Sequence, residues 1–303
     1  MPTYHYIVPS ISNLNSVSRW SPLLRFGVLI AVSLAIWFRP LISSFALAYR
    51  DSEYTQILLI IPVSLTLIFL DWSAPKESSR FSLLFGTILL SIAVGVAVGV
   101  RLGIVVLQPD ERLLLNMMAL VLWWIGAFVV CFGYPAFKRA VFPLCFLFWI
   151  VPIPRVLLNP IVRLLQEGSA GSADLIFAIA GVPVVREGTI ITIPGLVVEV
   201  AQECSSIRSS LMLVVTTIVL AQMLLRSPWR KAVVIAVAVP LSVVKNGLRI
   251  FVLGILATRV DPGYLTGRLH HEGGIIYFLI ALAAIFLCLW IARRGDGKLV
   301  VSP

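Results

Sequence analysis

The sequence predicts an all-α polytopic membrane protein of about eight transmembrane helices, with a small extracytoplasmic β meander before the sixth span. Three observations predict it. Of 303 residues, 59% are hydrophobic and only 13% charged, and the mean hydropathy of +1.01 lies far above that of soluble domains. The apolar residues fall in long runs, and about 20 in a row are what a helix needs to cross the hydrocarbon core. The runs do not alternate as barrel strands do, so helices rather than a closed barrel satisfy the backbone within the bilayer.

The first span, 23–38, follows a polar-to-mixed leader without a small-residue cleavage site, so no cleavable signal peptide is expected and the helix stays as an anchor. Spans at 56–70, 81–107, 113–132 and 137–151 complete the first half, and 205–225, 231–257 and 274–291 form the last three. Short-loop cations set the orientation. Arg19 and Arg25, Lys76 and Arg80, Lys138 and Arg139, Arg226 with Arg230 and Lys231, then Arg293, Arg294 and Lys298 fall on one side, expected to be the cytoplasm with both termini in it. The other face collects Asp51, Glu53, Asp110, Glu111, Glu187 and Glu199, together with Arg50, Arg112, Arg155 and Arg186. A formal charge of +10 is accounted for by anchoring to anionic lipid, and no basic stripe with interleaved aromatics points to nucleic acid.

Residues 152–203 are too many for a simple loop. The piece 157–180 has helical character but carries Pro160, Gly168 and Gly171 as interruptions, with Arg163, Glu167 and Asp174. A crossing here would invert the cation pattern downstream, so an interfacial or re-entrant segment on the outer face is expected. In VPVVREGTIITIPGLVVEVA, β-branched residues dominate, and Glu187-Gly188 and Pro194-Gly195 supply turns, which reads as a strand meander outside the membrane. With no internal repeat, the chain reads as a single membrane domain, 1–303: five spans in 1–151, the outer segment 152–203, and the last three spans in 204–303.

Polar chemistry concentrates in that last third. Cys131, Cys145 and Cys288 sit among apolar neighbours inside spans and read as small buried hydrophobes. Cys204 instead lies in VAQECSSIRSSLML at the outer mouth of the sixth span, with Glu203 beside it and Arg208 one helical turn on. No second cysteine is expected on that face, which leaves a free thiol, and a helix N-terminus with nearby cations stabilises a thiolate. The seventh span carries Lys245, Asn246 and Arg249 at hydrocarbon depth. A central arginine costs on the order of 3 kcal/mol by insertion scales unless it faces a partner or a wet cavity. Lys245 either snorkels to the interface or joins such a cavity, whereas Arg249, about 27 Å along the helix from Lys231, is poorly placed to snorkel. Pro240, one to two turns before Asn246, is a candidate for opening the helix there.

Of three histidines, His5 has no motif around it, while His270 and His271 stand at the outer start of the eighth span. The pair lacks the spacing of a zinc helix, so neither a metal nor any cofactor is implied, and proton transfer is the better use. A cysteine, an arginine and a histidine at one end of a bundle meet the needs of acyl transfer. Buried cations alone also fit a transporter, or a scaffold for anionic envelope or exopolysaccharide intermediates, but neither needs the thiol and histidine.

ECSSIRSS around Cys204, NGLRIF at Asn246 and Arg249, and HHEGGIIYF at His270 resemble the three signatures of the exosortase and archaeosortase family, and the likeness covers the C-terminal half. The resemblance implies a membrane-embedded cysteine peptidase or transpeptidase, a thiol protease of the hydrolase class that performs protein sorting. Cys204 would be the nucleophile, Arg249 the cation for thiolate or oxyanion, and His270 the general acid/base, with His271 second. His270 is preferred because Gly274 completes a His-x-x-x-Gly pattern. Ser206 stands where the family usually has glycine. Implied partners are membrane-anchored proteins ending in a PEP-CTERM-like sorting signal (short motif, apolar helix, basic tail), an acceptor amine or water, and the lipid bilayer. The implied location is a bacterial inner membrane with the site on the periplasmic side.

Overall fold

A computed structural model describes residues 14–70, 80–200, 207–265 and 274–296 of the chain. Its contacts divide into two units, one built from Met1–Arg50 and Ile57–Pro154, the other from Asp51–Gln56 and Arg155–Pro303.

In the first unit, α1 (Leu14–Arg50) bends at Trp37, whose backbone leaves helical geometry three residues before Pro40. The missing N–H of Pro40 orphans the carbonyl of Ile36 one turn earlier. Arg101, in the last turn of α3 (Arg80–Leu102), donates to that carbonyl at 2.7 Å. Trp37 is 1% exposed, and its ring lies tilted against that of Trp123 of α4 (Pro109–Phe132), centroids 5.7 Å apart. Trp123 also donates to Leu29 O, and Trp124 to Ser33 Oγ, so α4 is tied to α1 by indole hydrogen bonds as well as packing. Against α3, α4 comes close at a glycine pair: a methyl on Gly86 or on Gly126 would stand 3.0 Å from the other's carbonyl oxygen. The Gln108 backbone N–H donates to Glu111 Oε2 at 2.9 Å, which fixes the start of α4. α2 (Ile57–Leu70) completes the unit with three short pieces, α5 (Tyr134–Arg139), α6 (Val141–Phe146) and the 3₁₀ turn Leu147–Ile150.

The second unit begins with the 3₁₀ turn Ser52–Tyr54 and holds α7 (Arg155–Ile179), β1 (Val185–Glu187), β2 (Ile190–Ile193), β3 (Leu196–Glu199), α8 (Ile207–Leu224), α9 (Pro228–Arg259) and α10 (Gly274–Asp296). The strands form the expected antiparallel meander, pairing Glu187 with Ile190 and Ile193 with Leu196 across two-residue turns. Gly188 and Gly195 adopt φ of +63° and +83°, which side chains resist. Pro194-Gly195 thus fits a type II turn.

Five helices, Pro22–Arg50, Phe81–Leu102, Pro109–Phe132, Pro228–Arg259 and Gly274–Gly295, are long and apolar enough to cross a membrane, and Val141–Ile150 with Arg155–Ile179 adds a sixth if the pair is one broken span. Two further expected spans, Ile57–Leu70 and Arg208–Leu224, are apolar but shorter. At 1.5 Å per residue, the first covers about 21 Å of a roughly 30 Å core.

Several expectations change. The span expected at 137–151 is not one helix, because Pro143 cannot donate to Arg139 and the chain breaks at Ala140. The span expected at 81–107 ends at Leu102, before Gly103 at φ +64°. The segment expected to be interrupted is the unbroken helix α7, in which Gly168 and Gly171 serve close packing instead. Cys131 and Cys288 are half-buried and Cys145 is exposed, so none of the three is fully buried as expected.

Candidate active site

α9 is held by small residues. A methyl on Gly247 would lie 2.6 Å from Ser172 Cβ and 2.8 Å from the Ala173 backbone nitrogen, and one on Gly254 would meet the Phe177 ring at 2.9 Å. With only hydrogen there, α9 lies against α7 at backbone distance, the way small residues draw membrane helices together. The meander seals the far end of this seam. Ile191 and Ile193, both buried, pack with Ala170, Ala173, Phe177 and Ile250, and Val200 joins them. The Val200 N–H donates to Thr189 O at 2.9 Å, and Gln166 Nε2 donates to Val200 O at 3.2 Å. The chain is therefore fixed on the sheet and on α7 at Val200, and α8 begins at Ile207.

α8, α9 and α10 pack on one another with a division of chemistry along their length. Toward one end, Leu213, Ala221 and Leu225 of the α8 strip meet Val234 and Ala238 of α9 and Ala281, Ile285 and Leu289 of α10 in an apolar core. Toward the other, Lys245, Asn246 and Arg249 of α9 are 5%, 0% and 7% exposed. α9 runs as one helix through Pro240, so the polar cluster is made by inward-facing side chains and not by an opened backbone.

Lys245 does not snorkel. Its Nζ donates to Ser209 Oγ across the α8–α9 interface, and its charge acts on that of Arg249 one turn away. Tyr277 of α10, 9% exposed, lies in the field of Arg249. Both carboxamide atoms of Asn246 are buried without a hydrogen-bond partner among the described residues. Each such group costs about 1–3 kcal/mol, which packing alone gives no reason to retain and a ligand would recover. The arrangement offers cationic and amide donors around one end of a three-helix bundle, the equipment for binding an anion or a developing oxyanion.

Beside this bundle, the turn Ser52–Tyr54 packs on α8. Asp51 caps it, accepting from the Glu53 N–H at 3.0 Å and pairing with Arg155 at 3.3 Å. Burial, then the Asp51 charge, push the Glu53 carboxyl above the usual glutamate range, against the pull of Arg155.

Of the expected site residues, Asn246 and Arg249 are brought together, with Lys245 beside them, while Arg208 lies exposed on the first turn of α8. Glu203 and Cys204 fall in 201–206, and His270 and His271 in 266–273, outside the described residues. Among the described residues no His, Cys, Asp and Glu group has the makings of a metal site. Sequence reasoning left Ser209 without a role and passed over Tyr277. Ser209 stood five residues from Cys204 within IRSS, and Tyr277 stood within HHEGGIIYF; only tertiary packing singles either out.

A mostly helical, multi-pass membrane protein with a buried cationic and amide cluster in its last three helices is the class these observations define. The family model of the transmembrane exosortases matches residues 48–287. The chain belongs to that family, and the match spans both the described cluster and the segments bearing Cys204 and His270. No curated protein and no solved structure matches it.

Proposed function

We propose that the protein is a cysteine transpeptidase or protease that removes C-terminal sorting signals from membrane-anchored proteins at the outer face of the inner membrane. The observation that carries the reading is the burial of Arg249 with Asn246 at one end of the α8–α9–α10 bundle, in a chain whose family match spans all three signatures. In this reading α2 and α8 complete eight crossings, both termini are cytoplasmic, and 1–303 works as one membrane domain. A substrate helix lies beside the bundle with its basic tail inside.

The chemistry follows from the residue types. The Cys204 thiolate attacks the scissile carbonyl carbon, forming a C–S bond, and Arg249 stabilises first the thiolate and then the tetrahedral oxyanion. As the C–N bond breaks, His270 gives its proton to the departing amine, leaving a thioester on Cys204. An acceptor amine or water attacks the thioester, His270 takes its proton, and the thiolate is released. Asn246, Glu203 and Arg208 support the site.

The test is a co-expressed membrane protein bearing short motif, apolar helix and arginine tail. Cys204→Ala should leave the enzyme in the membrane with unchanged melting behaviour while the uncleaved precursor accumulates. Mass spectrometry of the wild-type product should show a new C-terminus within the motif, free or joined to an amine. Normal processing by Cys204→Ala would remove the nucleophile assignment, and a precursor untouched by wild type, with an anionic solute transported instead, would favour a transporter.

A further inference from the structure

We propose that Ser209 and Lys245 form a second nucleophile, a serine–lysine pair able to accept an acyl group from an ester or amide. Lys245 is 5% exposed and its Nζ bonds to Ser209 Oγ from the neighbouring helix. A hydroxyl is a weak nucleophile until a base takes its proton, and a lysine buried beside another cation is a setting in which lysine serves as that base. Arg249 supplies the neighbouring charge. Ser209 is half-buried, next to the exposed Arg208 on the first turn of α8. The carboxamide of Asn246, without a hydrogen-bond partner among the described residues, and the guanidinium of Arg249 stand within about one turn of Lys245 on α9 and offer donors for the oxyanion.

In the reaction, Lys245 first gives up its ammonium proton to solvent, and Ser209 Oγ then bonds to the carbonyl carbon as its own proton passes to the freed Nζ lone pair. The carbonyl bond to the leaving oxygen or nitrogen breaks, and the proton returns from Lys245 to that group. Water, its proton taken by the same amine, then attacks the acyl carbon, the bond to Ser209 Oγ breaks as Lys245 returns that proton to Oγ, and the acyl group leaves as a carboxylic acid. The contact of Ser209 with Lys245 stands apart from Cys204, while Arg249 and Asn246 serve as oxyanion donors to either nucleophile.

A biotinylated fluorophosphonate tests the pair on the full chain in detergent. Ser209 Oγ attacks phosphorus, fluoride leaves, and the hydroxyl proton goes to Lys245. Peptide mapping should place the adduct on Ser209, with labelling abolished in Ser209→Ala and retained in Cys204→Ala. Lys245→Arg keeps a cation and a donor to Ser209 but cannot serve as base, so its labelling should fall about a hundredfold or more, the low side of what general bases contribute, with the melting temperature held. No adduct on Ser209, or an undiminished rate in a folded Lys245→Arg, overturns the proposal. A protein that labels at Ser209 while Cys204→Ala still cleaves the tailed precursor would sink the Cys204 reading and leave this one standing.

Discussion

Glu53 shows how one carboxyl can work against its own turn. Its backbone N–H is used by the Asp51 cap, so its side chain is held near a like charge with partial burial, and its proton affinity rises in consequence. A carboxyl whose folded pKa exceeds its unfolded value favours folding at low pH, where both states hold the proton equally or the folded state holds it better. That advantage is lost as pH rises through and above the usual glutamate range. At neutral pH the ionised Glu53 therefore costs stability, and Glu53→Gln should raise the melting temperature at pH 7 with little change at pH 4. Because the carboxyl is largely solvated, the gain stays under about 1 kcal/mol; an equal gain at both pH values would show that charge is not its cause. At the same scale, Arg249 and Asn246 were legible in the sequence because charge and amide are costly in hydrocarbon. The bond of Arg101 to Ile36 O was not, since it depends on a carbonyl freed by Pro40 on a helix 65 residues away.

Among elements, the contact of α7 with α9 rests on hydrogens where side chains would be. Gly247→Ala places a methyl against a backbone nitrogen and a Cβ that cannot move independently of α7. Overpacking of this kind costs about 1–3 kcal/mol. Gly95→Ala on α3, where nothing lies within 4 Å of the added carbon, should be neutral in the same thermal melts in detergent, and equal effects at both sites would refute the seam. The meander was legible because β-branched runs and Gly turns act locally. The fate of Pro160, Gly168 and Gly171 was not. As local signals they read as breaks, yet α7 tolerates them, and its two glycines lie where Val243 and Arg186 come close. The converse holds at 137–151, where hydropathy read as one span and Pro143 with Ala140 divided it.

For the molecule as a whole, the second unit has two chemically distinct ends along α9. At the start of that helix, Arg230 donates to Ala292 O at 3.1 Å, Lys231 donates to Gln222 Oε1 at 2.7 Å, and Arg294 lies 3.4 Å over the Trp290 ring, with Trp229 exposed nearby. Cations with tryptophans are what a helix end at the cytoplasmic lipid surface carries. The meander packs near Ile250 and Gly254, about 30 Å farther along α9, roughly the thickness of a hydrocarbon core. If the basic end is inside, the sheet is outside, and so is the end of the bundle that holds Lys245, Asn246 and Arg249. Thr192, exposed on β2, and Ser227, half-buried before α9, report on the two ends. Thr192→Cys should react with a membrane-impermeant maleimide in cells whose outer membrane alone is opened, above the background of the unsubstituted protein. Ser227→Cys should react only after the inner membrane is permeabilised. The opposite pattern would put the cluster on the cytoplasmic side, where a thiol enzyme could not meet substrates already carried across, and the sorting reading would fail with the orientation.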